Sequence, residues 1–406
     1  MSPSPDDSES VLIPAGDKQS LDVSPSEVSS TQRASPPPLA GSFRAILKAR
    51  AIHYPVAYRF ERRLGSGRQG VVFLGLRQGA RGCLTRHAIK VFDPSIYPNA
   101  ERYWTDMGRI ASQTSKLQPL KSPNLVAPDL YEECNGIGYV QMECVDGLGL
   151  RYLLDGEHLE RARARCTPGE WKEFTDIIFR LEAGRLLIQP GIAVYIMRRV
   201  LRGLEALHDL GFVHCDVKPA NIMIDRLGYV KLIDLGRATL AHEKGSFLLG
   251  TPLFMAPEMH RREEALAASD LYMVGLVGLE MLRGERLPVP PEGGERGLLE
   301  LKMSLPERLP ELLPEHVRRN EPFVAVLRRM LDPDPARRFA SVQQAESGEE
   351  GLLIVHKQLA LLGQDTEYGR ELESYFSKLL SPRTGRIAPG AAAPEDETAL
   401  AGSSGA

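Results

Sequence analysis

The sequence predicts an α+β fold: a small β-rich region up to about residue 143, then a larger helical one. Three observations point that way. From Tyr58 the chain alternates around a glycine cluster, in YRFERRLGSGRQGVVFLGLRQ, which reads as strand, turn, strand. RHAIKVF and GYVQMECVDG continue as further strand-like runs. Beyond residue 190 the apolar spacing turns helical, in IAVYIMRRVLRGLEALHDLG and again after SDLYMVG.

Composition narrows the function classes. Of 406 residues, 43% are hydrophobic and 25% charged, enough for one large globular domain or two. Fifty Lys and Arg against 53 Asp and Glu leave a net charge of −3, with no basic field for nucleic acid or acidic lipid, so neither is expected as a partner. The start, MSPSPDDSES, has no basic n-region and no apolar h-region. The longest apolar stretch, Leu271 to Leu282, carries Glu280 and falls short of the about 20 residues that cross a bilayer. A cytoplasmic protein is expected. Five cysteines without CxxC spacing and nine histidines without HExxH argue against disulfides and zinc.

Residues 1–42 are rich in Ser, Pro and Asp and read as a disordered tail. Gly65, Gly67 and Gly70 then spell G-x-G-x-x-G between two β-like runs. Backbone that wraps phosphates must approach closely, which side chains block. Lys90 follows within an apolar strand, flanked by Ala88, Ile89, Val91 and Phe92, and is expected to point into a cleft. Ala100 to Leu120 reads as an amphipathic helix with Tyr103, Met107, Ile110 and Leu117 near one face. Residues 156–191 contain a predicted helix from Glu170 to Leu186. Two readings of that stretch stay open: a surface for a regulatory partner, or a lengthened helical decoration.

The richest stretch is FVHCDVKPAN, residues 212–221. An aspartate and an asparagine five residues apart, with a lysine between them, form a polar loop framed by apolar runs. Such a loop suits phosphoryl transfer: Asp216 to receive a hydroxyl proton, Lys218 to steady the moving phosphate, Asn221 to hold a metal ion. A hairpin turned at Arg226 to Gly228 then ends at Asp234, in LIDLG.

Glycine loop, AIK, HCDVKPAN, DLG and GTPLFMAPE, in this order and spacing, resemble the motifs of eukaryotic-like (Hanks-type) protein serine/threonine kinases, with a bacterial style of composition. The resemblance implies a bilobal protein-kinase fold over residues 58–345, with an N-lobe at 58–143, a C-lobe at 147–345 and the insertion at 156–191. A helical extension at 346–380 and a disordered tail at 381–406 would follow. It implies ATP in the cleft. Gly65, Gly67, Gly70, Val72, Ala88, Met142, Met223 and the backbone of Glu143 and Val145 would surround the nucleotide. Lys90 would meet its α- and β-phosphates, and Asn221 and Asp234 would hold Mg²⁺. Thr251 would bond Asp216 and Lys218, and Arg338 would tie Glu258. Asp270 would accept backbone hydrogen bonds from the catalytic loop. The implied partner is a protein bearing serine or threonine.

Two departures stand out. Gln113 falls where the family places a helix glutamate, and is expected to accept a hydrogen bond from Lys90 in its stead. Cys215 replaces the arginine before the catalytic aspartate, so phosphorylation of Thr239 or Ser246 is expected to matter less, and two alternatives stay open: activity without modification, or a switch elsewhere such as the helix bearing Gln113. A pseudokinase, which binds nucleotide as a scaffold and transfers nothing, is the alternative reading.

Overall fold

The computed structural model describes residues 39–242, 252–288, 294–359 and 367–380. It opens with α1 (Leu39–Ala49), the short strand β1 (Ala51–Ile52), the hairpin β2 (Tyr58–Gly67) and β3 (Gly70–Gln78), and β4 (Leu84–Phe92). Then come α2 (Ala100–Leu117), β5 (Pro128–Cys134) and β6 (Ile137–Glu143). The strands form one antiparallel sheet in the order β1-β2-β3-β4-β6-β5.

The period-two alternation of β4 explains both faces of this sheet. Ile89 and Val91 join Tyr58, Phe60, Phe73 and Tyr139 in one apolar cluster. Phe92 joins Val140 in another, under the Tyr103, Met107 and Ile110 stripe of α2. Lys90, on the Phe92 side, is therefore carried into the space between sheet and α2. Asn99 caps α2 by accepting from the Arg102 amide at 2.9 Å. The glycine hairpin is held close to its neighbour: a Cβ on Gly70, whose φ is +151°, would sit 2.0 Å from the Val91 carbonyl oxygen.

The first correction concerns the tail. α1 begins at Leu39, inside the segment read as disordered through residue 42. Leu39, Phe43 and Ile46 recur at helical spacing and pack on the sheet's first cluster, and that burial offsets the entropy of ordering.

The larger region begins with β7 (Gly147–Gly149) and α3 (Leu150–Leu154), then α4 (His158–Arg163), α5 (Pro168–Ile177), β8 (Phe179–Glu182) and β9 (Arg185–Ile188). Here lies the second correction. The helix predicted from Glu170 to Leu186 stops at Ile177, and β8 and β9 pair as an antiparallel hairpin. Ala183 (φ 51°) and Gly184 (φ 77°) supply the two consecutive left-handed residues of its tight turn. The helix start is marked by Thr167, which forms a capping box with Glu170.

Next are α6 (Pro190–His208), β10 (Phe212–Val213), β11 (Ile222–Asp225), β12 (Val230–Leu232) and β13 (Thr239–Leu240). α7 (Pro257–His260) precedes α8 (Ala267–Arg283), which is buried on all sides from Ser269 to Arg283, as its all-round apolar sequence demands. Short helices follow where Pro and Leu alternate: α9 (Gly294–Met303), α10 (Leu305–Leu312) and α11 (Glu315–Arg318). The rest are α12 (Glu321–Met330), α13 (Val342–Ser347), α14 (Leu352–Leu359) and α15 (Tyr368–Leu379). α13 to α15 share the core of α6 and α8, through Val342, Leu352, Val355, Leu372 and Phe376. The bilobal α+β expectation is met. Among the described residues, no helix is long and apolar enough to cross a membrane.

Candidate active site

The loop after β10 leaves the ladder, so its amides need other partners. Asp270, fully buried near the start of α8, supplies them: its carboxylate accepts from the His214 amide at 2.8 Å and the Cys215 amide at 2.9 Å, and pairs with His208 Nε2 at 2.8 Å. Cys215 takes the left-handed conformation (φ 64°) in this clamp. Burial pushes its thiol well above the usual range, so it stays an uncharged packing group.

Asp216, the next residue, is 6% exposed and receives three donors. Lys218 Nζ lies 2.9 Å from Oδ2, Asn221 Nδ2 lies 3.0 Å from the same oxygen, and Arg237 Nη1 lies 3.1 Å from Oδ1. Asn221 also donates to the Asp216 carbonyl at 2.8 Å. Pairing of β11 with β12 sets Ile222 opposite Leu232, and the Ile233 amide donates to the Asn221 carbonyl at 2.8 Å. Asp234 is thereby brought beside the end of the loop.

Asp234 is left-handed (φ 64°) and caps the turn from Leu235 to Arg237. Its Oδ1 sits 2.7 Å from Lys90 Nζ. Burial would raise its pKa, but the Lys90 ammonium, with help from the Gly236 amide and Lys218, outweighs that and holds it down to about 2. Lys90 donates a second bond, 3.0 Å long, to Gln69 Oε1 of the glycine hairpin.

The third correction is at Gln113, which does not bond Lys90. Its amide nitrogen instead donates to the carbonyls of Leu235 (2.8 Å) and Ala238 (2.9 Å), while its oxygen accepts from Arg109. The reason lies in helix geometry: Gln113 continues the inward stripe of α2, but that stripe faces the turn behind Asp234 and its carbonyls.

The remaining sequence-derived residues fall in the sheet strands and in the segments that join them to β7 and β11. Val72 lies opposite Lys90 and Gly65 in the sheet, Ala88 lies opposite Met142, and Gly67 closes the hairpin against Gly70. Lys90, Met142, Asp234 and Gln113 share one cavity with Ile110, Thr114 and Val140. Glu143 ends β6 with an exposed side chain paired to Lys231 at 3.0 Å. Val145, half-buried, lies between β6 and β7, and Met223 pairs with Gly149 and Lys231. Thr251 and Ser246 lie outside the described residues.

Beneath the segment that ends in GTPLFMAPE, Arg338 grips Glu258 with two bonds of 2.8 Å, both groups almost fully buried. Burial works to raise the Glu258 pKa, but Arg338 and Ser269 bring it below the usual range.

Sequence reasoning missed four participants: Gln69, Arg109, Arg237 and Lys302. Lys302, fully buried on α9, donates to the carbonyls of Pro252 and Met255 at 2.6 Å and contacts His260 Nε2 at 2.9 Å. A polar residue carries no linear signal of a distant partner.

Residues 58–347 match a family described as protein kinase domain. The chain is 29% identical over 208 residues to the serine/threonine-protein kinase PknA of Corynebacterium glutamicum, covering 49% of this chain and 38% of that protein. It is 26% identical over 363 residues to the serine/threonine-protein kinase PknD of Mycobacterium tuberculosis, covering 85% of this chain and 49% of that protein. The chain thus spans between a third and a half of the length of these curated relatives.

Proposed function

From the premise that this chain belongs to the protein kinase family, we propose that it transfers the γ-phosphoryl group of Mg-ATP to a serine or threonine hydroxyl of a protein. The observation that carries the proposal is the convergence on Asp216 of Lys218 and Asn221, in a loop fixed by Asp270 and adjoined by Asp234.

The residues present fit the nucleotide and its metal. Asn221 and Asp234 offer the hard oxygen donors that Mg²⁺ prefers. Gly65 and Gly67 border open space, where an added Cβ would meet nothing within 4 Å, and Lys90 stands ready as a counter-charge. When bound, Mg²⁺ would neutralise charge on the β- and γ-phosphates.

The chain's own groups do the rest. Asp216 orients the incoming hydroxyl and accepts its proton. Lys218, 2.9 Å from that carboxylate, is placed to offset charge on the moving group. Asp270 holds the loop backbone, so the carboxylate is positioned before substrate arrives. The lysine and proline of DVKPAN support a serine or threonine acceptor.

Incubation of the purified chain with Mg-ATP labelled at the γ-phosphate, beside Asp216→Asn and with a basic protein as acceptor, tests this. Label is expected on serine or threonine, reduced by about 10³-fold in the variant, within the range for loss of a general base. Nucleotide binding without label from either protein would replace enzyme by scaffold.

A further inference from the structure

The contact between α2 and the turn behind Asp234 is built for a hydrogen-bond donor. Gln113, 7% exposed, presents its amide nitrogen to the carbonyls of Leu235 and Ala238 at 2.8 and 2.9 Å. One turn earlier, Arg109 Nη2 donates to the Gly236 carbonyl at 3.1 Å, and Arg109 Nη1 donates to Gln113 Oε1 at 3.0 Å. Three carbonyls of one turn are thus met by donors from one helix. Lys90 makes no bond to α2, because Asp234 and Gln69 hold its ammonium. A primary amide donates two hydrogen bonds and accepts others, whereas an ionised carboxylate donates none.

We propose that Gln113 is a positioning residue whose side-chain amide docks α2 on the backbone of the turn that carries Asp234, independently of Lys90. The helix then sets the place of Asp234 through main-chain carbonyls, and Gln69 of the glycine hairpin supplies the second Lys90 contact. The positioning role rests on the phosphotransfer reading above; the docking does not. It follows that installing a carboxylate at this position weakens the site. The charged groups facing it are Arg109 on α2, Lys90 on β4 and Asp234 on the turn. Arg109, itself half-exposed, can meet only the oxygen that the amide oxygen already presents. The other oxygen would replace a donor in front of two carbonyls.

The test uses the full chain and Gln113→Glu, with two readouts. The first is thermal stability relative to wild type from about pH 4 to pH 8. Burial against two carbonyl oxygens raises the folded pKa of the substituted carboxyl above its unfolded value of about 4.3. The variant is then closest to wild type at the acid end, where a protonated carboxyl can still donate to one carbonyl, and loses stability as pH rises toward that folded pKa. A carboxylate drawn to Lys90 would have a lowered pKa and the opposite trend, which overturns the docking.

The second readout separates kcat from KM. With the site misplaced but the nucleotide contacts intact, kcat is expected to fall about tenfold or more while KM for ATP moves less than about threefold, as for one buried donor lost. Unchanged kcat overturns the positioning role. A wild-type chain that transfers no phosphoryl group, while the pH trend holds, overturns the phosphotransfer reading and upholds the docking.

Discussion

Lys90 with Asp234 and Arg338 with Glu258 are both cation–carboxylate pairs that join distant parts of the chain, in opposite surroundings. In the cleft, the Asp234 side chain keeps 35% of its surface exposed, and Lys90 shares its protons with the neutral Gln69. Under the segment that ends in GTPLFMAPE, Arg338 and Glu258 are sealed at 0% and 1%. Arg338 there also donates to the carbonyls of Asp332, Pro333 and Ala268 and lies over the Tyr272 ring. The difference separates two uses of one chemistry. An accessible pair can exchange partners when phosphates and a cation arrive, while a sealed pair holds its segment permanently, because opening it strands a charge.

Breaking the sealed pair is expected to have the larger effect on the fold. Arg338→Met leaves Glu258 buried without its cation and should cost about 3–5 kcal/mol of stability by denaturant unfolding, with Glu258→Leu added on top recovering much of the loss. If Arg338→Met proves as stable as wild type, the pair is not the fastener described here. Lys90→Met should do the reverse: phosphotransfer down by about 10²-fold or more, with a melting temperature close to wild type. A large drop in melting temperature would show that the cleft pair, too, is structural.

Lys302 anchors the same segment by a third arrangement, donating to the Pro252 and Met255 carbonyls with no carboxylate paired to it among the described residues. Burial pulls its pKa down to about 7, with Glu258 and Glu295 opposing. The folded value lies below the unfolded value of about 10.4, so the unfolded chain binds the extra proton between these limits. Wild-type stability relative to Lys302→Met should therefore increase as pH rises from about 7 to about 10, and be least favourable below that range. A stability difference flat with pH would mean that Lys302 is solvated in solution.

How far these features were legible follows from how local each signal is. The strand alternation around Lys90, the α2 stripe and the loop holding Asp216, Lys218 and Asn221 are short-range patterns, and each lies in the element expected. The pairing of Arg338 with Glu258 and of Asp270 with the loop follows from the resemblance to the kinase family and from no local pattern. The lost information concerns direction. Gln113 falls at the position of the family's helix glutamate, yet which of two buried neighbours its amide meets depends on how the helix is seated. Gln69 and Arg237 carry no local pattern that marks them as partners of Lys90 and Asp216. The β8–β9 hairpin was hidden because FRLEAGRLLI satisfies helical as well as alternating spacing until Gly184 is given its left-handed turn.

α15 carries a practical corollary. Its Leu372, Tyr375 and Phe376 are almost wholly buried, and Tyr375 Oη lies 2.5 Å from Nδ1 of His158 on α4, among the rings of Phe174 and Phe179. Each such side chain contributes roughly 1.5–3 kcal/mol when fully buried. The family match ends at residue 347, but the shared apolar core runs on through Phe376, with Leu379 packed against it. A fragment trimmed to the family boundary would bare the aromatic socket of His158, Phe174 and Phe179 and expose a sticky surface, so a well-behaved fragment is cut after α15.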